Sequence, residues 1–363
     1  MDEVRGSRRG QQRMPLDIGR RTLTYSLVLF LCVIFLYAAF FLLHSPENLA
    51  KLVYTQLAQG GEEVALQPVE KCNPPSEGAW NVVDAETCRM VTIQLTGDLI
   101  VESTLNLYNT TILINSSTDG EHAIIVKPGG TLIAYGSRFS PAGSNAYLFR
   151  ADEGSTLVLQ DSEVRGAGYD LGLQGELAGL YILTGNARLE RTTFRNNYIG
   201  ASFRNSKRAV VTDSKFIDNL YGLRISDSTP QIYSSSFSSQ IYDIYATDFS
   251  SATAQDSQFS FDKVAFGDTE SNLSVKRTAT FQVTDLSNAP LDNATVYIYS
   301  ADGAEVGRST TVEGASASAP LPWAEMNSAG ATFHAYSLST SFNSTEGPHA
   351  VLDFNQSNTV GIV

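Results

Sequence analysis

Asp161, Arg191, Asp213, Ser234 and Asp256 each stand three positions before an apolar residue, respectively Val164, Phe194, Phe216, Phe237 and Phe259. If those apolar positions stack, a ladder of carboxylates runs beside them, with Arg191 lying between Asp161 and Asp213. Such a ladder could work on a polysaccharide. Asp161 and Asp213, two rungs or roughly 9.5 Å apart, would suit the acid and base of an inverting glycoside hydrolase. With calcium, Arg191 and the same carboxylates would suit a uronate lyase, in which a metal acidifies the sugar and a base removes its proton. The competing reading is structural. Asp-Ser at 161–162, 213–214 and 256–257 is ordinary turn chemistry, with Arg191 neutralising its neighbours. The structural reading is the one adopted: no catalytic or metal-ligating residue is assigned, and calcium is the only ion considered as a cofactor.

Aromatic side chains offer a second chemistry. Tyr198, Tyr221 and Tyr242 follow the recurring phenylalanines by four or five residues. With Tyr169 they are the expected ligand-binding residues, because a row of exposed rings stacks on sugar faces; otherwise they cap an edge with their hydroxyls in water. Tyr169, Asp170 and Glu176 belong to a segment, Gly166–Leu180, that interrupts the spacing. Insertions in repeat proteins generally mark a binding face.

The spacing itself defines the elements that must hold these residues. Phe194, Phe216, Phe237 and Phe259 are separated by 22, 21 and 22 residues. Five positions before them stand Leu189, Val211, Ile232 and Ala254, and seven after stand Ala201, Leu223, Ile244 and Phe266. The frame extends back through Val164 with Leu159 and Phe139 with Ala134. Two-fold alternation within each unit predicts short strands, and a period near 22 without helical spacing predicts a solenoid. The Leu-x-x-Leu-x-Leu frame of leucine-rich repeats is absent. A parallel β-helix is therefore expected, with rungs about 4.8 Å apart, an internal phenylalanine stack, and a shared turn at Asn197, Asn219, Gln240 and Asp262.

FRNNYIGASF, FIDNLYGLRI and IIVKPGGTLIAYGSRF resemble the right-handed β-helix repeats of the pectin-lyase-like superfamily, over roughly Thr92 to Ser274. The likeness is closer to non-catalytic surface members and periplasmic copper-maturation proteins than to the enzymes. Polygalacturonase-like paired Asp-Asp and Gly-His-Gly motifs are missing, and His122 is the only histidine between Cys72 and Lys276. Beyond Ser274 the pattern changes. Val283-Thr284-Asp285 through Pro290-Leu291-Asp292-Asn293-Ala294-Thr295-Val296 resembles immunoglobulin-like or carboxypeptidase-regulatory-like β-sandwiches, which implies a spacer or binding module over 276–363.

Location follows from the amino-terminal region. Tyr25–Leu43 is nineteen residues without a charge, enough to cross a bilayer as a helix. Six arginines precede it (Arg5, Arg8, Arg9, Arg13, Arg20 and Arg21), so the positive-inside rule places the amino terminus in the cytoplasm and the rest outside. A cleaved leader or twin-arginine signal fits less well, since the core is long and no small-residue cleavage site follows. In an oxidising compartment Cys72 and Cys88 are expected to form a disulfide. Sequons stand at Asn109, Asn115, Asn272, Asn293, Asn343 and Asn355 as candidate glycosylation sites.

The chain of 363 residues carries 25 basic and 38 acidic side chains, a net −13, which argues against nucleic-acid binding. Four histidines and three cysteines without a close cluster leave little for zinc or haem. The expected order is a cytoplasmic tail (1–21), a single-pass signal anchor (22–44), a juxtamembrane helix or linker (45–71), a right-handed parallel β-helix with a disulfide-stapled cap (72–275), and a small β-sandwich (276–363). The fold class is thus an all-β ectodomain behind one transmembrane helix. The expected function is a non-catalytic membrane-anchored module for adhesion, glycan contact or envelope assembly. Its expected partners are membrane lipid, glycans and other envelope or membrane-complex proteins. The alternatives are a membrane-tethered polysaccharide lyase or glycoside hydrolase, and an accessory or maturation subunit of a membrane complex.

Overall fold

The computed structural model describes residues 71–170, 179–285, 287–312, 315–317, 320–342, 345–346, 350–352 and 358–361. The expected tail, anchor and juxtamembrane segment as far as residue 70, residues 171–178 of the insertion, Asn343 and Asn355 lie outside them. Among the described residues, no helix is long and apolar enough to cross a membrane.

From Trp80 to Arg277 the chain winds as a right-handed parallel β-helix. A coil contributes one strand to each of three faces, as in Ile199–Arg204, Val210–Thr212 and Lys215–Ile217. The first face stacks nine strands, from Trp80–Val82 to Val264–Phe266. The third stacks seven, from Thr92–Leu95 to Ser236–Ser238. Alternation sets which side chains enter the core: in Thr156–Gln160 only Leu157 and Leu159 are buried. Register then stacks like on like, with Leu159, Leu189, Val211, Ile232 and Ala254 on consecutive rungs. Phe194, Phe216 and Phe237 form the expected column, rings 4.8 and 4.7 Å apart and nearly parallel.

One expected register is displaced. Phe266 pairs with Ala246, and Val264 takes the place opposite Ile244. In this last coil a 3-10 turn at Phe261–Lys263 precedes the strand, whose first residue, Val264, falls where the third residue of the strand before it stands. Phe259 also departs from the column, meeting Phe237 edge-on at 6.4 Å.

The corners are built from polar ladders. Asn109, Asp161, Arg191, Asp213, Ser234 and Asp256 all have positive φ, between 45° and 51°. Aspartate and asparagine tolerate this left-handed backbone better than most residues. The hydroxyl residue that follows turns inward. Thr192 N–H donates to Ser214 Oγ, Ser214 N–H to Ser235 Oγ, and Ser235 N–H to Ser257 Oγ, at 3.2, 3.1 and 3.1 Å. A parallel ladder on another corner runs Ser206, Ser228, Ser250, Ser271. Of the four residues expected to share a turn, Asn197 and Asn219 are buried and linked, Asn197 N–H donating to Asn219 Oδ1 at 3.0 Å. Gln240 and Asp262 are exposed, and the amide ladder does not reach them.

The strand Asn272–Arg277 runs through the boundary expected at 275/276. It pairs in parallel with Ser251–Gln255 and antiparallel with Leu321–Asn327, which continues into Gly330–Phe333. The second face thus grows to eleven strands. Past residue 277, a three-stranded and a five-stranded sheet share a separate core that includes Phe281, Val283, Val296, Ile298 and Leu338. Asp285 closes a turn, its Oδ1 accepting from Ser287 and Ala289 N–H at 2.8 and 2.9 Å. At the other end, Cys72 and Cys88 are joined by a disulfide with Cα atoms 5.0 Å apart.

Candidate functional site

Asp161, Arg191 and Asp213 occupy the left-handed corner, one per coil. Arg191 grips Asp161 with both arms of its fork, Nε to Oδ1 at 2.7 Å and Nη2 to Oδ2 at 3.0 Å. Its other carboxylate partner is Glu190, the residue beside it, rather than the expected Asp213. The reason is reach: Glu190 Oε1 lies alongside Nη1, while the fork itself points back along the solenoid to Asp161. Arg191 holds the Asp161 carboxyl below its usual range, against the opposing effect of burial, and both carboxylates keep the guanidinium protonated. A general acid must carry its proton near neutral pH, and Asp161 is driven the other way. Asp256 is tied to the fold as well, accepting from Thr278 N–H at 2.7 Å and Thr278 Oγ1 at 2.8 Å. Among the described residues, no three His, Cys, Asp or Glu side chains gather where they could hold a metal ion.

The tyrosines form a row on the first face. Tyr198 and Tyr221 have ring centroids 6.0 Å apart, and so do Tyr221 and Tyr242. Tyr245 extends the row at 5.9 Å from Tyr242. Pairing explains the spacing: Tyr221 is the direct strand partner of Tyr242, and Tyr198 N–H and Tyr221 N–H continue the ladder from Ala167 and to Tyr198 in turn. All four rings are half-buried. Tyr169 stands elsewhere, its ring covering Gly120, where even a Cβ would come within 2.3 Å of Cε1. Burial raises the Tyr198 phenol, as does its hydrogen bond to Asp170.

Arg224, which the spacing argument passed over, lies among these rings. It sits opposite Ser202 on one rung and Tyr245 on the next, with its guanidinium carbon 5.7 Å from the Tyr245 ring centre. Its Nε is buried and has no hydrogen-bond partner among the described residues. Nothing in a single sequence distinguishes an outward-facing arginine of this kind, though its place one rung from Tyr245 follows once the 21-residue step is known.

Of the sequons, Asn109, Asn115 and Asn293 are exposed, and Asn272 is half-buried on a strand, accepting from Ser251 Oγ at 2.9 Å.

A family model described as the right-handed beta helix region matches residues 122–278. The matched span contains the tyrosine row, Arg224 and the Asp161–Arg191 pair. No curated protein and no solved structure matches the chain. The match agrees with the right-handed parallel β-helix fold of Trp80–Arg277. Structural proteins and enzymes share this scaffold, so activity has to be argued from the site itself.

Proposed function

We propose that the chain is a non-catalytic extracytoplasmic module whose tyrosine-lined solenoid face binds a glycan. In this reading residues 22–44 hold it to the cell membrane with the amino terminus in the cytoplasm, and the immunoglobulin-like segment after residue 276 acts as a spacer or contact module. The observation that carries it is the run of Tyr198, Tyr221 and Tyr242 in equal 6.0 Å steps. Such a row gives successive ring surfaces along one line, where a chain-like ligand can contact several coils. The clamped Asp161 supports a structural rather than catalytic role for the corner ladder.

The test is affinity electrophoresis of the full-length chain through gels containing neutral or acidic polysaccharide. Tyr221→Ala is expected to weaken retardation about tenfold, or ~1.4 kcal/mol, with the melting temperature little changed. Equal retardation of the two proteins would remove the tyrosine row from binding. Polysaccharide breakdown that disappears in Asp161→Asn would replace this reading with the lyase or hydrolase one.

A further inference from the structure

Arg224 is half-buried and has no carboxylate partner among the described residues; Arg165 and Arg208, also without one, are exposed, and Arg277 lies over Trp323. Arg138 meets Glu163, Arg150 meets Asp152, Arg188 meets Glu190, and Arg191 meets Asp161 and Glu190. Arg195 also lies 3.9 Å from Glu163. In a chain with 38 acidic against 25 basic residues, a carboxylate is easily supplied. Among the described residues none pairs with Arg224, whose buried Nε has no acceptor. A guanidinium fork presents two parallel donors to a planar oxyanion. With Nε shut away from solvent, the two terminal amino groups are the donors that a planar oxyanion would meet end-on.

We propose that Arg224 is an anion subsite within the tyrosine face. It would take the carboxylate or sulfate of an acidic sugar, while Tyr221, Tyr242 and Tyr245 contact the rings of the same chain. The proposal rests on the glycan-binding reading above and adds the charge class of the glycan. A lysine in this place would supply charge without the fork, so geometry as well as sign enters the test.

The full-length chain would be titrated with polygalacturonate, dextran sulfate and uncharged dextran as probes. At least tenfold tighter binding of one or both acidic polymers over dextran is expected. Arg224→Gln should abolish that preference, Arg224→Lys should reduce it, and Arg191→Gln, on another corner, should leave it intact. Binding of polygalacturonate that fades below about pH 4, while that of dextran sulfate persists, would assign the carboxylate and sulfate arms separately. Equal affinity for charged and neutral polymers overturns the anion subsite but leaves the tyrosine row standing, as does an undiminished preference in both Arg224 variants. No binding of any of the three polymers overturns the inference and the reading beneath it together.

Discussion

At the scale of single residues, the solenoid separates two uses of the same side-chain chemistry. Asp161 and Arg191 look like reactive groups in sequence, yet each satisfies the other, and each holds a backbone conformation with positive φ. Arg224 has no conspicuous neighbours in sequence, and its buried Nε finds no acceptor among the described residues. The Asp161 pair makes a pH prediction. Arg191 lowers the Asp161 carboxyl in the folded chain, whereas an unfolded aspartate titrates near 3.9. The pair therefore adds stability above that unfolded value and loses it as pH falls through the lower folded value. The side chains are 42% and 51% exposed, so solvent screening limits the contribution to about 1 kcal/mol or less. Asp161→Asn isolates the charge, because asparagine also accepts the left-handed backbone. Its melting temperature should lie about one to two degrees below wild type at pH 7, and the two should converge near pH 2. A gap that is constant across the range would assign the effect to packing.

At the scale of the element, the corner ladders decide which parts of the fold a sequence reveals. A column of buried hydroxyls gives successive coils, among them those of Thr192, Ser214 and Ser235, an inward bond that water does not replace. Ser235 Oγ accepts from Ser214 N–H and donates to Tyr233 C=O at 2.8 Å. Ser235→Ala leaves the first of these buried and unpaired, which should cost about 1–3 kcal/mol in chemical denaturation; a loss below 0.5 kcal/mol would mean the ladder relaxes around the gap. The Phe column and the Leu189–Val211–Ile232 column were legible because burial imposes a repeating apolar type at a fixed step. The row Tyr198, Tyr221, Tyr242 was legible for the same reason. Where the step breaks, legibility ends. Tyr169, inside the insertion, packs over Gly120 instead of joining the row, and past the 3-10 turn Phe266 stands off its expected rung. Outward positions such as Arg224 carry no periodic demand, so only their neighbours in three dimensions give them meaning. Ser162, Ser214 and Ser257 were read as turn residues; that they face inward is set by the backbone conformation before them.

For the whole molecule, the consequential feature is how the stack of strands ends. A parallel sheet presents an unpaired edge at each end, and an exposed edge recruits further strands. Here the last parallel strand, Asn272–Arg277, is covered by the antiparallel strand Leu321–Asn327. Its side chains join in: Ser274 Oγ donates to Glu325 Oε1 at 2.7 Å, and Arg277 lies 4.9 Å over the Trp323 ring. Trp323 and Phe333 in turn pack against Phe261 of the final coil. The segment after residue 277 thus contributes both its own core and the cover of the solenoid. A chain ending at residue 278 would expose the edge of Asn272–Arg277 together with Leu273 and Val275, which are fully buried in the intact protein. Such a truncation should aggregate at concentrations where the full-length chain stays dispersed, as read by light scattering. Lysine substituted at Ser274 in the truncated chain should reduce that aggregation by charging the edge. A truncated chain as dispersed as the full-length one would show that the solenoid closes itself, and would reduce the carboxy-terminal segment to an appended module.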